Sequence, residues 1–571
     1  MVFENAVTYL ISVLQTGVLH HDDGLLNNVV YYIPRLQTIK TLQTLVKSTF
    51  ESSLWANTEL FDLYEATQAI FQWKLEISEP TISLEDFYRI WDFTVAQSPS
   101  WTLQKLAMLG GALSTNFRFM TLQRTKFLDD SGEVSKLYGR WRNEYFIPLW
   151  CSLISKPQPV THLDEIVAIY ATINEPSDIK KSEIPWNTVT LALTRLSTNY
   201  IKHPPLRNSP ITRHLNKFVK TLQVSVQRND NSVITKVLDA LCRECFNLCT
   251  REVNSFQPNR SYSDEYYRNV LFAVVIELKA ILNSTQQIPE EWYPQIIMCL
   301  FHTNFITHDI GVIGFESYED IYGVVITGVT MCSDFLIYVH VLDTMRGNIW
   351  KNLTYPNKPN DAKLLFMLNF MENTLPNVAN LSPKFIDTVV NPLQNAYVDS
   401  PDSEIRESMH LVLLSLFQNF LSGDDLVSWQ AEHYLDYIAV ATTHFLLGRL
   451  SENQLIIIFQ KMSSSLPLLQ SIDRDLSKST LHYTYLKIIN CTKKGNQRVL
   501  LLCLVYQLPY VSREFLIDWL NTCQELTYAI GFDKKQKTTI LEALWEVISS
   551  SKSEVALKWW YGNVVSSKSF L

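Results

Sequence analysis

What most constrains this chain is a helical spacing of apolar residues that recurs from one end to the other, with little glycine to interrupt it. Leu36, Ile39, Leu42, Val46 and Phe50 follow one another at steps of three and four, which lines them up on one face of a helix. Ile234, Leu238, Leu241, Cys245 and Leu248 repeat the pattern, and so do Ile540, Leu544 and Val547 near the far end. Glycine supplies only 16 of 571 residues, under half of the usual ~7%. Sandwiches, propellers and glycine-loop nucleotide enzymes need more of it for their turns. The spacing predicts an all-α protein.

Punctuation between the apolar runs agrees. Lys156-Pro157-Gln158-Pro159, Glu175-Pro176 and His203-Pro204-Pro205 are helix-ending clusters. Ser83 and Asp86, just before Phe87, Ile90 and Trp91, read as a capping box that opens a helix. The β-branched run Val324-Val325-Ile326-Thr327 sits in helical surroundings and is assigned to a helix. Length allows about four domain equivalents or one long array. No strict repeat period emerges, so the expected architecture is an irregular α-helical solenoid of stacked antiparallel helices. The longest polar break, with Gly347, Pro356 and Pro359, suggests an N-terminal solenoid over 1–345, a linker or long loop over 346–361 and a C-terminal helical region over 362–571.

Charge narrows the partners. Lys and Arg number 49 against 57 Asp and Glu, a net charge of −8 with no basic run, which suits no nucleic acid. Nine cysteines scattered through apolar segments read as reduced core residues. The opening Met1-Val2-Phe3-Glu4-Asn5 predicts no secretory signal. Residues 322–342 are apolar over the length of a membrane span, but Asp334 would cost about 2.5–3.5 kcal/mol at the bilayer centre. Thr327, Thr330 and Ser333 add to that cost, so the stretch is read as a buried helix. The expected relation to a membrane is peripheral at most.

Few residues propose chemistry. Cys242, Cys245 and Cys249 have the spacing of one helix face and lack the second pair that a tetrahedral zinc site requires. His302, His308 and Asp309 match no zinc signature and are read as loop or helix-end residues. Asp129-Asp130 and Glu290-Glu291 are read as solvated charges. No phosphate-binding, nucleophile-elbow or zinc-protease motif occurs, so the expectation is a protein without catalytic, cofactor or metal residues. Trp559-Trp560-Tyr561 is read first as a docked terminal helix, and second as an exposed aromatic anchor for a partner. The closing Ser569-Phe570-Leu571 has the small first residue and final Leu of a peroxisomal tripeptide, with Phe where a basic residue belongs.

Several stretches together carry a family resemblance. They are Asn28-Val29-Val30-Tyr31-Tyr32-Ile33-Pro34-Arg35, Phe71-Gln72-Trp73-Lys74-Leu75-Glu76-Ile77-Ser78-Glu79-Pro80, and Phe301-His302 followed by Ile310-Gly311-Val312-Ile313-Gly314-Phe315-Glu316-Ser317-Tyr318. Trp519-Leu520-Asn521, Leu544-Trp545-Glu546 and Trp559-Trp560-Tyr561 continue the series in order. In these the chain resembles the peroxin-8 family, the intraperoxisomal import factors of yeasts. The resemblance implies a non-enzymatic peripheral protein on the matrix side of the peroxisomal membrane. It implies a link between the docking and RING-finger subcomplexes of the matrix-protein import machinery. It also implies binding to the import receptors for type 1 and type 2 signals, with a part in cargo release. Carried over to this chain, Ser569, Phe570 and Leu571 become a weakened type 1 targeting signal. The type 2 nonapeptide of some members is not matched, since Arg35-Leu36 is followed by Leu42 where His or Gln is expected.

Without the resemblance, composition fits two other readings. One is a soluble α-solenoid scaffold in another trafficking pathway, such as nuclear transport or vesicle tethering. The other is an enzyme with an unrecognised site, which a deep polar pocket would reveal.

Overall fold

The computed structural model describes residues 2–18, 24–77, 80–126, 129, 131–173, 184–203, 210–255, 264–311, 316–332, 334–350, 357–551 and 553–565. Helix accounts for 82% of the chain, and no strand occurs among the described residues, as the apolar spacing predicts. The chain divides into two compact units, Met1–Ile321 and Tyr322–Leu571. Of the polar break over 346–361, residues 346–347 close the helix Phe335–Gly347 and residues 358–361 open the helix Lys358–Thr374; residues 351–356 lie outside the described residues.

In each unit a helix packs on the next but one in sequence, the signature of stacked pairs. In the first unit, Trp186–Lys202 packs on Asn231–Asn254, which packs on Trp292–Ile310. Interleaved with that row, Val160–Ile173 packs on Pro210–Val226, which packs on Asp264–Leu282. In the second unit, Ser403–Phe417, Glu452–Leu469, Lys494–Gln507 and Lys534–Ser551 form one such row. Each inner helix is covered by two neighbours, so its apolar residues are lost to water around most of its circumference.

The periodic faces are mostly where the spacing puts them. Ile234, Leu238, Leu241, Cys245 and Leu248 are all buried, as are Ile540, Leu544 and Val547. Ile39 is the exception and is 53% exposed. It is the first residue of its helix, Ile39–Glu51, whose buried face begins only at Leu42. Scarce glycine is used where helices approach closely. A Cβ on Gly111 would lie 2.2 Å from the Tyr64 carbonyl oxygen, and one on Gly110 would lie 2.5 Å from Ile169 Cγ2. Gly111 lets Leu103–Ser114 lie directly against Leu60–Glu76, and Gly110 lets it lie against Val160–Ile173.

Three further readings change. Residues 322–342 do not form one buried helix: the helix Glu316–Met331 ends, Asp334 caps a new one by accepting the Leu336 N–H at 2.8 Å, and Phe335–Gly347 follows. Met331 and Leu336 are exposed, so neither piece is buried all round, and no helix among the described residues is long and apolar enough to cross a membrane. Ser83 does cap Leu84–Ala96 by accepting the Asp86 N–H at 3.1 Å, but Asp86 returns a carboxylate to the Ser83 hydroxyl rather than to the backbone. A complete capping box is formed instead by Ser451 with Gln454. Asp129 is buried, not solvated, because its carboxylate accepts from the Ser131 hydroxyl and the Ser135 N–H.

Candidate functional site

Ser569, Phe570 and Leu571 lie outside the described residues. The other residues that the sequence singled out do not converge on a reaction centre. His302 is buried with its ring edge-on to Phe246 at 5.3 Å, whereas His308 and Asp309 are exposed at the end of the same helix. Cys245 and Cys249 are buried, and no group of three or more His, Cys, Asp or Glu among the described residues could hold a metal. Trp559 and Trp560 are buried: the Trp559 indole N–H donates to Asn521 Oδ1 at 2.7 Å, and Trp560 packs on Trp545 at 5.3 Å. Only Tyr561, 56% exposed, faces water.

Exposed rings gather instead on the first unit, around Arg35. The helix Leu25–Tyr32 runs into a short 3-10 turn, Ile33–Arg35, whose Ile33 and Pro34 are buried. Burying those two residues turns Arg35 outward, back over the helix end. Its Nη1 donates to the Tyr31 carbonyl at 2.9 Å. Its guanidinium carbon lies 4.3 Å from the Tyr31 ring centre and 5.0 Å from that of Trp73. Tyr32 stands edge-on to both Tyr31 and Phe3 at 5.1 Å.

Trp73 reaches this cluster from the helix Leu60–Glu76, on which Leu25–Tyr32 packs. Its neighbour Lys74 points the other way, about 100° round the helix. Buried there, Lys74 donates to the Thr81 hydroxyl at 2.7 Å and the Ile82 carbonyl at 2.6 Å, and burial pulls its pKa down to about 8. That inward lysine fixes the end of the helix while Trp73 stays 49% exposed beside Tyr31 at 51%. A guanidinium flanked by two rings is held flat at little further entropic cost, with donors left over for an incoming acceptor. Arg, Trp and Tyr are also the residues that most often anchor protein interfaces.

A second surface of similar type lies on the second unit. Lys478 and Tyr485 of the helix Leu476–Asn490 meet Phe515 and Trp519 of the helix Arg513–Ala529, at 5.5 Å and 6.2 Å respectively. Leu486, Ile489 and Phe515 are exposed on it.

Sequence reasoning missed one polar group altogether. Buried His410, on Ser403–Phe417, lies 2.9 Å from buried His444 on Asp424–Leu446, Nε2 to Nδ1. His444 Nε2 lies 3.1 Å from Asp399 Oδ1, which Arg449 also engages. The carboxylate assigns the proton to His444 Nε2, so His444 Nδ1 accepts and His410 Nε2 donates. Burial pushes the His410 pKa down to about 4, helped by neighbouring His444, and burial also lowers that of His444. With no nucleophile in the chain of bonds and both rings buried, the arrangement ties two helices together rather than moving protons to a substrate. Thirty-four residues separate the two histidines, so no local motif marks them.

Comparison with known proteins follows the same two units. The family profile of the PEX8 helical domain matches residues 194–317, and that of the PEX8 C-terminal domain matches residues 428–570. The chain is 29% identical to Peroxisomal biogenesis factor 8 of Saccharomyces cerevisiae, covering 99% of each chain. It is 23% identical to the protein of that name from Pichia angusta, covering 95% of this chain and 91% of the relative. Among solved structures, Kap121p is similar over 97% of this chain and 74% of its own at 10% identity, with a TM-score of 0.28, too low to bear on the fold. The arrays of helices and the end-to-end similarity agree: the chain belongs to the peroxin-8 family of peroxisomal biogenesis factors.

Proposed function

We propose that this peroxisomal biogenesis factor is a non-catalytic bridge in matrix-protein import. It works peripherally on the matrix side of the peroxisomal membrane, joins the docking and RING-finger subcomplexes, binds the receptors for type 1 and type 2 signals and assists cargo release. The observation that carries this reading is the similarity to Peroxisomal biogenesis factor 8 over 99% of both chains, which leaves neither unit outside the family. Two compact helical units, each with its own exposed surface of rings and cations, suit a chain that holds more than one partner at once. Arg35 with Tyr31 and Trp73 is the surface we assign to partner capture on the first unit. Capture of the tagged chain from cells should bring down import receptors together with members of both subcomplexes. Recovery of only one subcomplex would reduce the role to that of an accessory of it.

The closing tripeptide belongs to the same proposal as a weakened type 1 signal. Leu571 supplies the terminal apolar anchor, worth roughly 1.5–3 kcal/mol if fully buried, and Ser569 the small residue. Phe570 lacks the charge of the usual basic residue, for which Lys568 compensates in part. A C-terminal peptide should bind the type 1 receptor domain weakly, more tightly with Phe570→Lys and not at all without Leu571. Fluorescence anisotropy titration measures all three, and equal curves with and without Leu571 would make the tail a plain chain end.

A further inference from the structure

Within residues 194–317, Asn231–Asn254 and Trp292–Ile310 run side by side in one direction, and their register can be read from contacts along the seam. The Trp292 indole N–H donates to the Thr235 hydroxyl at 3.1 Å, and Gln295 donates to the Asp239 carboxylate. Further along, His302 meets the ring of Phe246. Between these rungs the same register sets Cys242 opposite Cys299. Cys245 lies one turn beyond Cys242 on the same helix. Cys299 and Cys245 are buried, while Cys242 is only half-buried.

We infer that Cys242 and Cys299 form a thiol pair that a hydroperoxide oxidises to an intramolecular disulfide, stapling the two helices at that rung. Cys242 is the attacking group because it alone of the three is open to solvent. The Cys299 S–H also supports its thiolate, so the Cys242 pKa lies below that of an ordinary thiol. Cys299, the buried donor, is held well above that value. In the first step the Cys242 thiolate attacks one peroxide oxygen, the O–O bond breaks and two electrons pass to the peroxide. The leaving alkoxide or hydroxide takes a proton, and Cys242 becomes a sulfenic acid. In the second step Cys299 sulfur attacks the Cys242 sulfur. The S–O bond breaks, the departing hydroxide takes the Cys299 proton as water, and the S–S bond forms. The structure thus already provides the resolving partner that converts a transient sulfenic acid into a reversible link.

Three other half-buried thiols, Cys151, Cys332 and Cys491, serve as internal controls. Full-length protein, fully reduced and then exposed to limiting hydrogen peroxide, is digested and analysed by mass spectrometry. Cys242 should be consumed about tenfold faster than the three controls, in line with its thiolate character. The product should be a Cys242–Cys299 linked peptide that dithiothreitol reverses. In Cys299→Ser the Cys242 sulfenic acid should accumulate and be trapped by dimedone. Consumption of Cys242 no faster than the controls would overturn the inference. So would a link from Cys242 to Cys245, which would remove Cys299 from the resolving role. Both decisive readings come from the unmodified chain, so a misfolded variant does not obscure the result.

Discussion

Trp559 and Trp560 in the second unit, and Tyr31 and Trp73 in the first, are large aromatics in opposite circumstances. The C-terminal pair is adjacent in sequence, and its helix folds back on earlier ones. Asn521 there supplies an acceptor for the Trp559 indole, and Trp545 supplies a ring for Trp560. The N-terminal pair is 42 residues apart: the packing of Leu25–Tyr32 on Leu60–Glu76 brings its members near each other, and Arg35 lies against both rings. A run of aromatic residues therefore says little about exposure. Burial follows where a neighbouring helix offers both packing area and a partner for the polar edge of the ring. Exposure persists where a side chain such as Arg35 is itself anchored on the surface.

The contrast can be broken most forcefully at its buried end. Trp559→Ala should cost about 3–5 kcal/mol of stability, read as a lowered urea midpoint. A change under about 0.5 kcal/mol, the level of an ordinary surface substitution, would show that the terminal helix is not docked.

Acidity sharpens the same contrast among cations, since His410 and His444 are buried and neutral while Arg35 and Lys478 are charged at the surface. Burial pushes the His410 pKa down to about 4 in the folded chain, against 6.5 for a free imidazole. The unfolded chain then binds more protons between those values, so stability is full above about pH 6.5 and falls as the pH drops toward 4. The loss over that window should be about 3 kcal/mol, measured as urea midpoints across pH, and should shrink in His410→Gln. A profile unaltered by that substitution would place the acid sensitivity elsewhere.

At the exposed end, Trp73→Ala should leave stability within about 0.5 kcal/mol yet weaken partner capture by about 2 kcal/mol, roughly thirtyfold. Equal capture by the variant would remove this surface from the interface. The smallest effect expected is for Arg35→Lys, about 0.5–1 kcal/mol in capture. A compact ammonium keeps the charge but cannot lie flat between two rings.

Much of this fold was legible because helix period is a local property. The face from Ile234 to Leu248 needed only its own spacing, and every member is buried. Ile39 broke the pattern because periodicity cannot say where in a helix packing begins. The break at Asp334 was missed because hydropathy weighs a charge as a cost and overlooks its use as a cap. The candidate surface was half legible. Tyr31, Arg35 and Trp73 all fall in stretches that carry the family resemblance, but their meeting depends on how Leu25–Tyr32 packs against Leu60–Glu76. Contacts of that range, like His410 with His444, leave no trace in local spacing. The density of rings at Trp559-Trp560-Tyr561 suits a docked helix first, and both tryptophans are buried there; of the three only Tyr561 is exposed.

Bridging is the claim on which the functional account depends, and it can be measured without any variant. A docking-subcomplex member is captured from solubilised membranes of cells that contain the protein and of cells that lack it, and the RING-finger subcomplex recovered with it is quantified. The account predicts that the two subcomplexes come apart when the protein is missing, while each stays intact. Undiminished association in its absence would contradict it.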